Sequence, residues 1–251
     1  MADSGRRVAF ITGASYGLGQ ATAAALARDG CDVVVTDINA ADLKESLGKI
    51  EAAGGKGLGL ALDVRVPASI DKGFDDALAH FGRLDVLVNN AAVPLTKPAV
   101  DITPEEWANV MNINITGAFL VAQAFARRLI KAGRKGRIVN LASTFSVIGV
   151  PRVSAYGTSK AAMAGMTRHL AVEWAPHGIA VNAVAPGAVA TKLRAAVLAD
   201  PTFRDTMVEK IPAKRFGEPE DMAEAIAYLA SPRAEYVNGH TLLVDGGLTI
   251  A

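Results

Sequence analysis

The stretch Arg7-Val-Ala-Phe-Ile-Thr12-Gly13-Ala-Ser-Tyr16-Gly17-Leu-Gly19 decides the fold of this 251-residue chain. An apolar strand candidate runs directly into a turn with three glycines, and a helix candidate begins within that turn. Glycines let the backbone approach a pyrophosphate closely, and the N–H groups at a helix N-terminus attract phosphate. The stretch therefore predicts a dinucleotide-binding turn, with an ordinary tight strand–helix turn as the alternative interpretation.

Short apolar runs alternate with amphipathic segments along the rest of the chain. The runs are rich in valine, isoleucine and leucine, which is typical of parallel strands covered on both faces. The predicted strands are Arg7–Thr12, Asp32–Thr36, Gly57–Leu62, Leu84–Asn89, Gly136–Ala142, Ile179–Ala185 and Thr241–Val244. The predicted helices are Gly17–Asp29, Ala40–Ala53, Pro67–Phe81, Pro104–Ala132, Ser154–Pro176 and Pro219–Ala230. This alternation predicts a single-domain α/β fold, a doubly wound parallel sheet of about seven strands with helices on both faces.

The alternation is interrupted at Thr191–Glu218, between the sixth predicted strand and the last predicted helix. Long irregular connections are often functional loops, so the segment around 191–218 is expected to be a substrate lid. Its charged residues are Lys192, Arg194, Arg204, Lys210, Lys214 and Arg215 against Asp200, Asp205 and Glu209. A basic excess over a cleft attracts anionic substrates, but solvated helix faces are the favoured interpretation of these charges.

The composition indicates a folded protein with almost balanced charge. Hydrophobic residues make up 51% of the chain and charged residues 20%, and the formal net charge is +1. This balance disfavours nucleic acid or an anionic membrane as the main partner. No apolar run approaches the roughly 18 residues that span a bilayer, and because a predicted strand begins almost at once, no signal peptide is expected. Since Cys31 is the only cysteine, an internal disulfide is excluded, and a cytoplasmic location is the expected default.

Tyr156-Gly-Thr-Ser-Lys160 places a phenol and an amine four residues apart, on one face of a predicted helix. Free tyrosine has a pKa of about 10 and is a poor base at neutral pH. A cationic neighbour favours the phenolate and lowers this pKa towards the working range. Together with the glycine turn, the pair predicts a proton shuttle beside a hydride carrier.

Asp37 ends the second predicted strand. A carboxylate at this place accepts hydrogen bonds from both hydroxyls of an adenosine ribose and repels a 2′-phosphate. A phosphorylated cofactor requires a nearby arginine or lysine, but the best-placed positions hold Tyr16 and Ile38. The sequence therefore predicts NAD rather than NADP, with a solvated strand-end aspartate as the alternative.

Two further strand ends lie at the same carboxyl edge of the predicted sheet, where ligands bind in open α/β folds. Asp63 and Val64 follow the third strand, and they are expected to meet the adenine amino group and the adenine ring, respectively. Asn89-Asn-Ala-Ala92 ends the fourth strand. Asn90 either contacts the ligand or joins neighbouring strands, and the sequence leaves both interpretations open.

Six motifs in this order resemble the short-chain dehydrogenase/reductase family: Gly13-x-x-x-Gly17-x-Gly19, Asn89-Asn-Ala, Asn114, Ser143, Tyr156-x-x-x-Lys160 and Pro186-Gly187. The resemblance extends from Arg7 to Gly247, and the ordered combination is far more specific than any single motif. It implies a single Rossmann-like domain, a nicotinamide cofactor, a small alcohol or carbonyl substrate and, usually, a homotetramer.

The resemblance assigns four catalytic positions. Tyr156 matches the acid/base that exchanges a proton with the substrate oxygen, and Lys160 matches the residue that holds the nicotinamide ribose and lowers the tyrosine pKa. Ser143, thirteen residues before Tyr156, matches the serine that polarises the substrate oxygen. Asn114 matches the asparagine that positions a water in the proton relay. From the residues alone, a strand cap is the alternative interpretation of Ser143, whereas Asn114 is equally well explained as a residue that bonds the backbone.

The turn Pro186-Gly187-Ala-Val189-Ala-Thr191 matches the family's contact with the nicotinamide end, with Val189 and Thr191 at the carboxamide. A plain proline–glycine turn is the alternative. The full set of expected cofactor contacts is Gly13, Ser15, Tyr16, Gly17, Leu18, Gly19, Asp37, Ile38, Asp63, Val64, Asn90, Ala91, Ala92, Tyr156, Lys160, Pro186, Gly187, Val189 and Thr191. The chain departs from the family pattern at Ala92, where glycine is usual, and at Ala142, where a second serine is common.

The substrate is less well defined by the sequence. The stretches Asp200–Phe203, Ile211–Gly217 and Val237–His240 are similar to those of gluconate 5-dehydrogenase-like members of the family. That similarity implies a polyol, sugar or sugar acid. The alternatives are a 3-oxoacyl thioester reductase that uses NADPH, which Tyr16 and Asp37 disfavour, and an NAD-binding sensor without activity, which the intact catalytic set disfavours.

Two further expectations concern metals and assembly. The histidines are His80, His169, His177 and His240, and because their spacing is unlike that of metal ligands, no metal site is expected. The predicted helix from Ser154 has a broad surface of small and apolar residues, which with Gly117–Ile130 is expected to form a subunit interface. The apolar tail Leu248–Ala251 is expected to be buried between subunits as well.

Overall fold

Seven parallel strands form one sheet within residues 5–190 and 200–251, the part of the chain that the computed structural model describes. The strands are β1 (Arg7–Thr12), β2 (Cys31–Asp37), β3 (Gly57–Ala61), β4 (Val86–Asn89), β5 (Gly136–Leu141), β6 (Ile179–Pro186) and β7 (Thr241–Val244). Their order is β3-β2-β1-β4-β5-β6-β7. The order reverses between β1 and β4, and ligands bind at the carboxyl ends of the strands beside such a reversal. The predicted α/β class and parallel sheet are confirmed.

Helices cover both faces of this sheet. They are α1 (Gly17–Arg28), α2 (Lys44–Ala52), α3 (Pro67–Phe81), α4 (Pro104–Met111), α5 (Ala118–Lys131), α6 (Ser154–Trp174), α7 (Pro201–Lys210) and α8 (Pro219–Ala230). Ala9 and Ile11 of β1 belong to the apolar cluster with α1 and α8, whereas Val8 and Phe10 belong to the cluster with α3, α5 and α6. Burial on both faces explains the continuous apolar character of the strands. In the described ranges, no helix is long and apolar enough to cross a membrane.

The prediction of a single helix over Pro104–Ala132 is wrong in the middle of that range. After α4, residues Asn112–Gly117 form a π-helical turn, and α5 begins only at Ala118. The turn is held by contacts with distant segments, which a local apolar pattern does not encode. A Cβ on Gly117, for example, would lie 2.8 Å from Cγ2 of Val64, so glycine lets the turn approach the end of β3.

The segment predicted as a lid contains a helix, α7, that the sequence pattern did not predict. Thr191, Lys192 and Arg194 of this segment lie outside the described residues. The two sides of the segment meet, because Val189 and Gly217 form an isolated parallel bridge. The segment therefore leaves and rejoins the fold at one place, at the carboxyl end of β6.

Candidate active site

The glycine turn has a geometry that fits a pyrophosphate. Gly13 and Gly17 have φ of +65° and +62°, a region that favours glycine. A Cβ on Gly13 would lie 2.7 Å from the Cα of Ala91, and one on Gly19 would lie 2.5 Å from the carbonyl oxygen of Gly13. Among the described residues, the side chain of Tyr16 does not cap the first N–H groups of α1. Uncapped N–H groups at a helix start bind phosphate, so the residues present fit a dinucleotide.

Two side chains that sequence reasoning missed hold this turn from the protein side. Ser46 Oγ donates to the carbonyl oxygen of Ala14 at 2.6 Å. Gln20 Nε2 donates to the carbonyl oxygen of Ser15 and to Ser46 Oγ, at 3.3 Å in each case. Lys49 Nζ donates to Gln20 Oε1 at 2.6 Å and fixes the orientation of that amide. Neither Gln20 nor Ser46 belongs to a motif, so the sequence carries no local signal for this contact.

Asp37 lies at the carboxyl end of β2, beside the glycine turn. Its Oδ2 accepts from Oγ of Ser15 at 2.5 Å, and its Oδ1 accepts from the N–H of Ile38 at 2.8 Å. The side chains at Tyr16 and Ile38 are exposed, at 51% and 67% of their full area. The two positions that would hold a cation for a 2′-phosphate therefore present uncharged groups to solvent.

The carboxylate of Asp63 is engaged by its own neighbour. Its Oδ2 accepts from Nη2 of Arg65 at 2.6 Å, and its Oδ1 accepts from Nε of Arg65 at 2.9 Å. These hydrogen bonds hold the pKa of Asp63 below its usual range. Val64 is buried next to it. A contact between Asp63 and adenine stays a prediction, and it requires that the carboxylate be shared with Arg65.

Asn90 joins two strands. Its Nδ2 donates to the carbonyl oxygens of Thr12 at 3.0 Å and Gly13 at 2.6 Å. The N–H of Ala91 donates to Oγ1 of Thr12 at 3.1 Å, and Ala92 is exposed beyond it. Of the two interpretations left open for Asn90, the structure shows the strand-joining one, which fixes the glycine turn against the end of β4.

Tyr156 and Lys160 lie on successive turns of α6. Lys160 is buried, and its Nζ donates to the carbonyl oxygen of Leu141 at 2.6 Å. The same Nζ lies 5.6 Å from the centroid of the Tyr156 ring. Burial lowers the pKa of Lys160 to about 8, because an apolar environment disfavours the charged form. At neutral pH, Lys160 therefore still supplies a positive charge beside the phenol.

Ser143 lies two residues beyond β5, at the start of a 3₁₀ turn over Thr144–Ser146. Its Oγ accepts from the N–H of Phe145 at 3.2 Å, so it caps this turn. The ring of Phe145 meets that of Tyr156 edge-on, with centroids 6.2 Å apart. A hydroxyl that accepts one bond keeps its own proton to donate, so the capping role leaves Ser143 able to polarise a substrate oxygen.

The side chain of Asn114 connects three segments inside the π-helical turn. Its Oδ1 accepts from the N–H of Val93 at 2.8 Å, and its Nδ2 donates at 3.0 Å both to the carbonyl oxygen of Val93 and to Oγ of Ser159. Ser159 Oγ in turn donates to the carbonyl oxygen of Tyr156 at 2.7 Å. The structure therefore shows Asn114 bonded to the backbone, as one of the two interpretations predicted. The water-positioning role stays a prediction.

The turn after β6 returns to the same edge of the sheet. A Cβ on Gly187 would lie 2.7 Å from the Cα of Asp245, so glycine is needed where this turn passes the end of β7. Val189 is buried, and Thr191 lies outside the described residues. No cluster of three or more histidine, cysteine or carboxylate side chains that could hold a metal ion occurs among the residues described.

A nucleotide turn and a buried lysine beside a tyrosine at one sheet edge define a nucleotide-dependent oxidoreductase, and comparison with known proteins gives the same class. The family model described as enoyl-(acyl carrier protein) reductase matches residues 13–249. The chain belongs to the short-chain dehydrogenase/reductase family. It is 42% identical to the 2-dehydro-3-deoxy-D-gluconate 5-dehydrogenase of Dickeya dadantii (strain 3937), over 96% of this chain and 94% of that protein.

Two solved structures show the same fold with different cofactors. A protein from Agrobacterium tumefaciens, assigned as a 2-deoxy-D-gluconate 3-dehydrogenase with bound NADP, has a TM-score of 0.91 and 41% identity, over 98% of this chain and 97% of that one. An NAD⁺-bound xylitol dehydrogenase has a TM-score of 0.90 and 30% identity, over 96% and 98%. The similar proteins thus include sugar-acid and polyol dehydrogenases, and they do not decide between NAD and NADP.

Proposed function

We propose that the protein interconverts a secondary alcohol and a ketone on a polyol, sugar or sugar acid, with NAD(H) as the cofactor. The observation that carries this proposal is the pair on α6: a buried, positively charged Lys160 with its Nζ 5.6 Å from the ring centroid of Tyr156. The glycine turn, which fits a dinucleotide, lies at the same edge of the sheet.

The roles of the residues follow from their surroundings. The nicotinamide, when bound, exchanges a hydride with the substrate carbon. In the oxidation direction, the Tyr156 phenolate takes the proton from the substrate hydroxyl, and the C–O bond becomes a carbonyl as the hydride leaves. The positive charge of Lys160 favours that phenolate. Ser143 donates a hydrogen bond to the substrate oxygen, which stabilises the charge that develops there.

The preference for NAD rests on Asp37. Its carboxylate lies beside the glycine turn, bonded to Ser15, and the flanking Tyr16 and Ile38 are exposed and uncharged. A 2′-phosphate would meet this negative charge, and neither of the two flanking positions supplies a cation to compensate it. We predict that Asp37→Ala lowers the ratio of kcat/KM for NAD to that for NADP by about tenfold or more, because like charges in contact are strongly repulsive. An unchanged ratio would show that Asp37 does not discriminate between NAD and NADP at the adenosine ribose.

The test of the proposed function is a substrate panel, followed by the absorbance of NADH. Polyols, sugars, sugar acids and hydroxyacyl thioesters are offered with NAD and with NADP in parallel. We expect turnover of a sugar acid or polyol with NAD. Turnover of thioesters alone, with the phosphorylated cofactor, would instead support a 3-oxoacyl thioester reductase and would contradict the proposal.

A further inference from the structure

Arg152 has a backbone conformation that arginine rarely adopts. Its φ is +68°, and Arg152 and Lys214 are the two non-glycine residues with positive φ among those the structure describes. Pro151 and Arg152 form the middle of a turn. A proline followed by a residue with positive φ is the pattern of a type II turn, in which glycine or asparagine is usual at the second of these positions. Arginine at this place costs free energy that glycine would not, and strain of this kind is concentrated at ligand sites.

The turn is fixed to the neighbouring substrate-side loop. The carbonyl oxygen of Arg152 accepts from the N–H of Lys97 at 2.7 Å. The ammonium of Lys97 is in turn paired with the carboxylate of Glu106, at 2.8 and 2.9 Å. The loop that follows β4 and the loop that precedes α6 are therefore joined, and the backbone of Arg152 is fixed before any ligand arrives. Such preorganisation increases the affinity of a binding group.

Arg152 lies close to the reacting centre along the chain. It is in the loop between Ser143 and Tyr156, four residues before the tyrosine. Four residues span at most about 14 Å even when fully extended, and here they include a turn and the start of α6. The N–H of Gly157 bonds to the carbonyl oxygen of Val153 at 2.7 Å, which fixes the step from the turn to the catalytic helix.

The guanidinium of Arg152 is available, unlike the cationic groups of several other basic residues. Arg65 is paired with Asp63, Lys97 with Glu106 and Arg215 with Asp221. Arg152 is exposed, and its side chain forms no hydrogen bond or ion pair with any residue that the structure describes. A planar guanidinium with all its donors available matches the two oxygens of a carboxylate.

We propose that Arg152 binds the carboxylate of the substrate, so that the enzyme prefers sugar acids over neutral polyols of the same length. This inference rests on the proposed function and narrows its substrate class. The substrate would be a hydroxy acid whose reacting secondary alcohol lies several carbons from the carboxylate, with the alcohol at Tyr156 and Ser143 and the carboxylate at Arg152.

The test compares gluconate with glucitol, a sugar acid and the neutral polyol of the same chain length, with NAD as the cofactor. Arg152→Asn removes the charge but tolerates positive φ. We expect it to lower kcat/KM for gluconate by about 10- to 100-fold, mainly through KM, since one charge-assisted hydrogen-bond pair is lost. Glucitol turnover should stay within about twofold by the same reasoning. Arg152→Lys should restore part of the gluconate activity.

Two controls separate the possible failures. Arg233→Asn removes one positive charge from the turn Pro232–Ala234 after α8. It should leave kcat/KM unchanged for both gluconate and glucitol. The melting temperature of Arg152→Asn should equal or exceed that of the parent, because the strained turn is relieved. If Arg152→Asn lost equal factors of kcat/KM for gluconate and glucitol, or lost none for gluconate, the role of Arg152 would be overturned while the proposed function stands. A parent inactive on every sugar acid and polyol would overturn both.

Discussion

At the scale of single residues, Lys160 shows how burial and chemistry are connected. Its ammonium is removed from water, bonded to one carbonyl oxygen and placed next to a phenol, and burial lowers its pKa to about 8. The charge that favours the phenolate is thus kept at a cost in folding stability. This cost depends on pH in a predictable direction.

We expect Lys160→Met to be inactive but more stable than the parent at pH 7, by about 1–3 kcal/mol. This range is the stability gained by removing the buried charge, which the lowered pKa reflects, minus the stability lost with the hydrogen bond to Leu141. The unfolded lysine titrates near 10.5 and the folded one near 8, so between these values the unfolded chain binds more protons and the parent gains stability as pH rises. The difference in unfolding free energy between the variant and the parent should therefore be largest below pH 8 and decrease towards pH 10.5. Urea unfolding of both proteins across this range measures it, and a variant that is less stable at pH 7 would contradict the account.

Other residue roles are visible only in the structure. The motif containing Asn90 was evident in the sequence, but only the structure shows its bonds to Thr12 and Gly13. Gln20 and Ser46 belong to no motif and meet across 26 positions of sequence, so no local pattern indicates that they brace the glycine turn. In contrast, Gly13, Gly17 and Gly19 were predictable because their conformations and close contacts admit no side chain.

At the scale of elements, strong periodicity and clear end signals gave accurate bounds. The predicted strands Arg7–Thr12 and Thr241–Val244 and the predicted helices Pro67–Phe81 and Pro219–Ala230 agree with the structure at both ends. Proline in the first turn marks the start of each of these two helices. The prediction of one helix over Pro104–Ala132 was wrong at Asn112–Gly117, which form a π-helical turn. Asn114 in this turn bonds to the distant Val93 and Ser159, and a local pattern does not encode tertiary contacts of this kind.

The π-helical turn and α6 are expected to be energetically coupled through the hydrogen bond between Asn114 and Ser159. Ser159→Ala leaves an N–H of buried Asn114 without its acceptor, so we expect a loss of about 1–3 kcal/mol in unfolding free energy. In the background of Asn114→Ala, the same substitution should cost much less, since the shared bond is already absent. A double-mutant cycle by urea unfolding measures the coupling. Fully additive losses would show that the bond between the two side chains contributes nothing.

At the scale of the whole molecule, the apolar residues left at the surface favour assembly. Val172 on α6 is 79% exposed and Ile250 in the C-terminal tail is 88% exposed. We predict that the protein forms a homotetramer, the usual assembly of this family, and that these two positions are covered in its interfaces. Size-exclusion chromatography with light scattering at micromolar concentration tests this. Elution as a monomer would contradict it.

We propose that one sheet edge brings a dinucleotide and an acid/base tyrosine to the same substrate carbon. The most direct measurement is the rate of NADH formation from the best substrate by the parent and by Tyr156→Phe, with NAD affinity measured in parallel by fluorescence. We predict that the variant loses about 100-fold or more in kcat, the usual contribution of a general acid/base, while its NAD affinity stays within a few-fold. A variant that keeps most of its kcat would contradict the account, because the proton would then be moved by another group.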